Sequence, residues 1–227
     1  MSLSTELRLV GDLAQFRVET DDPLSRRALA DLTFEESDGA FVRSFPADAR
    51  RLHESYLRFK LTLEDVLDQA AGRKPPPWER ALDAVANRLD TLRAEWFLVG
   101  TAALAARGID IVPRDIDLVV ADPALAARAF AEVQIEPVTV NRPGVWIARW
   151  FGRAFLHTRV EWVAGVDPEV DTRSWPNEFG PQAAARLETV RWEDHDLLLT
   201  PVDVQLAVTE RRGLAARAGE IRDFLRL

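Results

Sequence analysis

Residues 97–121 read FLVGTAALAARGIDIVPRDIDLVVA and hold two short apolar runs separated by a Gly-Thr pair, an Ala-rich stretch and a Gly-to-Pro turn. Apolar runs this short, so closely spaced, are strands, and the Ala-rich piece between them is a helix. Trp96 to Val99 is the first strand and Asp115 to Val120 the second. Between them Thr101 is placed to cap the helix, Gly108 to end it and Pro113 to turn the chain back. Strand, helix and strand then lie side by side, as part of a mixed sheet.

Side chains alternate along a strand, so Asp115 and Asp117 share one face while Ile116 and Leu118 enter the opposite layer. Carboxylates two positions apart are separated by about 6 to 7 Å. Such a pair can grip one Mg²⁺ or bracket two ions, because hard divalent cations are held by one or two carboxylates together with substrate phosphates. Gly100 and Thr101 supply the complementary half of a nucleotide site. Free N–H groups and the positive end of a helix favour phosphate there, Gly100 allows close backbone approach, and the Thr101 hydroxyl either caps the helix or donates to a phosphate oxygen.

A later run, Phe155 to Val163, is a strand on which alternation puts His157, Arg159 and Glu161 on one face. If that strand pairs beside Asp115 to Val120, Glu161 completes a three-carboxylate cluster as general base or as ligand of a second metal. Arg159 would then steady phosphate charge, and His157 is structural or exposed.

The chain divides at Gly72-Arg73-Lys74-Pro75-Pro76-Pro77, where three prolines stop a helix and favour an extended spacer. Residues 1–72 form a small N-terminal α+β unit. Leu7 to Val10, Gln15 to Val18 and Ala40 to Phe45 are its strands, and Leu52, Tyr56, Phe59, Leu63, Val66 and Ala70 recur at helical spacing. Residues 78–227 form the second unit. It opens on a helix carrying Trp78, Leu82, Val85, Leu89 and Leu92, and after the Asp-x-Asp strand come a helix from Pro123 to Val133 and strands near Pro137 to Val140 and Val145 to Trp150. Thr200 as N-cap before Pro201 opens a helix that Gly213 closes, and Leu214 to Leu225 completes a helical hairpin. Trp146, Trp150, Trp162 and Trp175 are first of all core or rim residues, with stacking of one or two near Trp146 on a base or sugar as the minority reading. The fold class is α/β of the α+β kind, a mixed sheet flanked by helices.

At 227 residues and 47% hydrophobic the chain can bury a full core. With no Cys, thiolate nucleophiles, disulfides and Cys-based zinc sites are excluded. No run approaches the roughly 20 apolar residues of a membrane helix, and no secretory leader pattern opens the chain, so it is expected in the cytoplasm with no membrane partner. A net charge of −8 disfavours nonspecific contact with nucleic acid. The Arg- and Ala-rich usage is that of a GC-rich bacterial genome.

Residues 78–227 resemble the nucleotidyltransferase superfamily that includes DNA polymerase β, the aminoglycoside nucleotidyltransferases and the minimal nucleotidyltransferases of bacterial toxin–antitoxin systems. That family's pattern is a strand, Gly-Ser or Gly-Gly, a helix, then apolar-Asp-apolar-Asp, with a third acid on a later strand. Gly100-Thr101, Asp115-Ile116-Asp117-Leu118 and Glu161 match it, with Arg114 where an apolar residue is usual, Thr101 for Ser or Gly, and Glu161 for the commoner Asp. The resemblance implies Mg²⁺ (Mn²⁺ in its place), ATP or another NTP as donor, and transfer of a nucleoside monophosphate to an acceptor hydroxyl on a small molecule, a protein partner or RNA. The Lys that faces the triphosphate from the C-terminal helices of small relatives is missing from residues 204–208, leaving Arg211 or Arg212 to replace it. The alternative is a catalytically inactive, antitoxin-like binding module on the same fold.

Overall fold

The computed structural model describes residues 3–142, 146–170 and 177–226. Its N-terminal part is a four-stranded antiparallel sheet in the order β1-β2-β4-β3, formed by β1 (Leu3–Val10), β2 (Leu13–Thr20), β3 (Glu35–Ser37) and β4 (Ala40–Pro46). Two helices cover one face of it, α1 (Pro23–Asp31) and α2 (Leu52–Ala70). The repeat of Tyr56, Phe59, Leu63 and Val66 along α2 aims one stripe inward. There Phe16 of β2 meets Phe45 at 4.9 Å and Phe59 at 5.4 Å between ring centres.

The remaining chain builds a seven-stranded mixed sheet in the order β10-β11-β5-β6-β9-β8-β7. Helix α3 (Trp78–Thr91) precedes β5 (Trp96–Val99), α4 (Gly100–Ala106), β6 (Asp115–Val120) and α5 (Pro123–Ala129). There follow β7 (Gln134–Val140), β8 (Ala148–Leu156), β9 (Thr158–Val166), the short α6 (Pro181–Ala184), β10 (Glu188–Trp192), β11 (His195–Leu199), α7 (Val202–Arg211) and α8 (Ala215–Leu225). Alternation along β6 decides the layers. Ile116, Leu118 and Val120 pack with Leu82, Val85 and Leu89 of α3 and with Ala126 of α5, while Val119 joins Phe97, Val99 and Val163 on the other face. A mixed sheet flanked by helices and a C-terminal helical hairpin, α7 with α8, are therefore the architecture. Among the described residues, no helix is long and apolar enough to cross a membrane.

The two parts share side chains. Ile135 of β7 and Phe155 of β8 enter the N-terminal core, α2 packs on β7, and Gln134 Nε2 donates to Ser55 Oγ at 2.9 Å.

Several local expectations are corrected. Phe155 and Leu156 end β8 rather than begin β9. The chain reverses at His157, whose φ of 65° places it in a tight turn, so His157 lies outside the strand that carries Arg159 and Glu161. Helix α5 stops at Ala129 instead of Val133, because the chain from Gln134 onward pairs with β8. Helix α4 begins at Gly100 with Val99 as N-cap, so Thr101 sits in its first turn and caps nothing. Thr200 likewise caps no helix; its hydroxyl donates to the Glu178 carbonyl at 2.9 Å. Val145 and Trp175 lie outside the described residues.

Trp162, 1% exposed, is among the largest buried side chains and stands directly opposite Gly152 on β8. A Cβ at Gly152 would lie 2.2 Å from Trp162 Cε2. The ring fits only because residue 152 has no side chain. Gly152→Ala is expected to lower unfolding stability by about 1–3 kcal/mol through overpacking, read from urea denaturation; a variant within experimental error of wild type would contradict this packing.

Candidate active site

Strands β6 and β9 run parallel with Asp115 opposite Arg159 and Asp117 opposite Glu161. This register brings the two aspartates and the later glutamate onto one face. The strand β5 enters from the other side of β6, with Val99 opposite Asp117, so the chain leaves β5 and turns at Gly100 directly above the Asp117 carboxylate. Gly100 has a φ of 65°, and a Cβ there would lie 2.7 Å from Asp117 Oδ2. The left-handed turn and the lack of space both require glycine.

The aspartates and Glu161 do not stand alone. Arg159 bonds Asp115 through Nη2 and places Nε 3.3 Å from Glu161 Oε1. Arg153 Nε donates to the same Glu161 oxygen at 2.7 Å and its Nη1 to Glu136 Oε1 at 2.5 Å. Arg43, from the N-terminal sheet, meets the other Glu136 oxygen at 2.7 Å. Six side chains of alternating charge thus run from β4 to Asp115. Glu136 is 2% exposed and Arg153 5%, so this chain of ion pairs is largely withdrawn from water.

The charges act differently on each acid. Burial raises the Glu161 pKa, but Arg153 and then Arg159 outweigh it, so the carboxyl is held below its ordinary value and stays ionised at neutral pH. Asp117 is driven the other way: burial, then the charges of Asp115 and Glu161, lift its pKa well above the usual aspartate range. Arg159 offsets only part of this. Asp117 is the point where negative charge is in excess.

Glu178 is part of the same site and carries no sequence signal, since it lies in an irregular segment without periodicity or motif. It is 7% exposed; its Oε2 accepts the Gly100 N–H at 3.0 Å and faces Gln205 Nε2 at 3.4 Å. Gln205, in the α7 stretch that lacks a lysine, also donates to the Gly100 carbonyl at 2.8 Å. The Gly100 amide is thus occupied by a carboxylate of the chain itself. On α8, burial and then the neighbouring Arg212 lower the Arg217 pKa, against the smaller opposing pull of Glu178, Asp115 and Asp117. Arg217 is thus a helical-hairpin cation in the field of these acids.

Among the described residues, no three His, Asp or Glu side chains converge closely enough to hold a metal ion by themselves. Glu161 and Asp115 are drawn toward arginine. Asp115 and Asp117 remain as hard oxygen donors on one strand face, and the acidic surroundings of Asp117 fit a divalent cation that completes its shell from phosphate and water.

Because folding raises the Asp117 pKa, the folded chain binds that proton more tightly than the unfolded chain. Below the unfolded value, about pH 4, both states are protonated and the site has no cost; stability is lost as pH rises from there through the folded pKa. Asp117→Asn removes the loss. In chelator the variant is expected to melt above wild type at pH 7, with the advantage vanishing near pH 4. A variant melting below wild type at pH 7, or an advantage independent of pH, would contradict the charge excess.

No family model matches this chain, and no curated protein matches it. Among solved structures it is similar to a Thermotoga maritima protein described as a "putative nucleotidyltransferase", at 16% identity and a TM-score of 0.49, over 66% of this chain and 94% of the other.

Proposed function

We propose that the protein is a Mg²⁺-dependent nucleotidyltransferase that moves a nucleoside monophosphate from an NTP to an acceptor hydroxyl. The observation that carries this reading is the register that sets Asp117 beside Asp115 and across from Glu161, acids whose charge disfavours a third negative charge on the same face. Such crowding of acids is relieved by a cation, and the oxygen donors select a hard one. Mg²⁺, or Mn²⁺ in its place, would be held by Asp115 and Asp117 and would supply charge stabilisation at the phosphate undergoing transfer.

The chain's own residues have distinct tasks on this reading. Arg159 would leave its carboxylate partners for the phosphates, since phosphate offers the same bidentate acceptor geometry with more charge. Its departure frees one side of Glu161, which would accept the proton of the attacking hydroxyl. The Gly100-Thr101 turn would face the phosphates, with Glu178 giving up the Gly100 N–H as the nucleotide arrives. Arg217 would meet the triphosphate from α8.

A second reading rests on the ion pairs themselves. Arg159 already neutralises Asp115 and Glu161, and Glu178 already satisfies Gly100, an arrangement complete enough to persist in a catalytically inactive binding module. Incubation with α-labelled NTPs and Mg²⁺ separates the two. The transferase releases pyrophosphate and transfers label, and Asp117→Ala lowers the rate by about a thousandfold, as loss of several kcal/mol of metal-borne stabilisation requires. Absence of Mg²⁺-dependent NTP binding by the intact protein would sink the transferase and leave the module.

A further inference from the structure

A cavity of about 350 Å³ opens between the N-terminal unit and the β7–β8 edge, and its floor is the ion-pair chain that ends at Asp115. Arg43 comes from β4, Arg153 from β8, and Arg159 and Glu161 from β9. Anything seated there touches both the N-terminal unit and the strand carrying the candidate base. The volume is at the small end of ligand pockets, room for one substituted ring.

The charge inventory limits what that ring carries. Three guanidiniums face the space, but each is already paired: Arg43 with Glu136, Arg153 with Glu136 and Glu161, Arg159 with Asp115 and Glu161. Even with Arg159 turned to a nucleotide, Arg43 and Arg153 stay matched by Glu136 and Glu161, so the floor has no surplus charge of either sign to draw a phosphorylated ligand or a polyamine. The uncommitted charge is at the rim, where the exposed Asp31 carboxylate has no ion-pair or hydrogen-bond partner among the described residues. One wall is aromatic. Trp146, 40% exposed, stands perpendicular to Phe151 with ring centres 5.4 Å apart, and Arg153 lies over the Phe151 ring.

A balanced hydrogen-bonding floor, a lone acceptor carboxylate at the rim and an open indole suit a compact ring that bears hydroxyls and no charge. Its C–H face packs on the aromatic wall while its hydroxyls donate to carboxylates. We propose that this cavity binds an uncharged polyhydroxylated ring compound and presents one of its hydroxyls toward Glu161. Calling that compound the acceptor rests on the transferase reading above; the binding itself does not.

Saturation-transfer NMR on the full chain, with D-glucose and myo-inositol as neutral probes and D-glucose 6-phosphate as the anionic one, tests this. At least one neutral ring is expected to bind saturably in the millimolar range, no more weakly than the phosphate ester. Trp146→Ala should weaken it at least tenfold and Asp31→Asn severalfold, with Trp146→Phe keeping most of the affinity. No saturable binding by either neutral ring, tighter binding of the phosphate ester, or affinity indifferent to Trp146→Ala overturns the proposal. Neutral-ring binding through Trp146 without Mg²⁺-dependent NTP binding removes the transferase and keeps the cavity, whereas NTP binding without ring binding removes the cavity alone.

Discussion

The parallel pairing of β6 with β9 is the constraint from which the site follows. It sets Asp117 against Glu161 and Asp115 against Arg159 in a face already half-closed by β5 and the Gly100 turn. Withdrawing each ion from water costs several kcal/mol, and removing one member of a buried pair costs about 3–5 kcal/mol because its partner is left uncompensated. The register therefore stands only if the charges are matched. Arginines from β8 and β9 match those of Glu161 and Asp115; Asp117 receives too little.

That shortage distinguishes the site from an ordinary buried salt-bridge network. Completed pairs such as Arg153 with Glu136 hold geometry and need nothing further. Asp117 is held beside acids by the strand register and by a glycine that admits it, a placement a stability argument alone does not favour. The N-terminal unit takes part through Arg43, so the position of Arg153, and through it Glu161, depends on a side chain from the other sheet.

Much of this was legible in the amino-acid order wherever one local rule acted alone. The apolar runs at Trp96 to Val99 and Asp115 to Val120 give strands with those bounds, and the 3.6-residue repeat of α2 gives its buried face. Asp22-Pro23 is also readable as a cap followed by a first-turn proline, and the Asp22 carboxylate accepts the Ser25 N–H at 2.8 Å; α1 spans only 9 residues, too few for its repeat to stand out. Thr101 and Thr200 misled because cap chemistry names residue types but not which backbone the fold leaves available. The His157 reversal is hidden for another reason. A left-handed turn at a non-glycine residue interrupts an apolar run that otherwise reads straight through. Glu178, Arg217 and the Arg43–Glu136–Arg153 links arise from contacts between distant segments, so no spacing rule reaches them.

Crystals grown with Mn²⁺ and a nonhydrolysable NTP analogue, measured at the manganese absorption edge, test the central claim most directly. An anomalous peak bonded to carboxylate oxygens of both Asp115 and Asp117, with phosphate oxygens completing its shell and Arg159 turned toward them, is the predicted result. A bound nucleotide elsewhere, or no metal peak at the aspartate pair while Arg159 keeps Asp115 and Glu161, would contradict it.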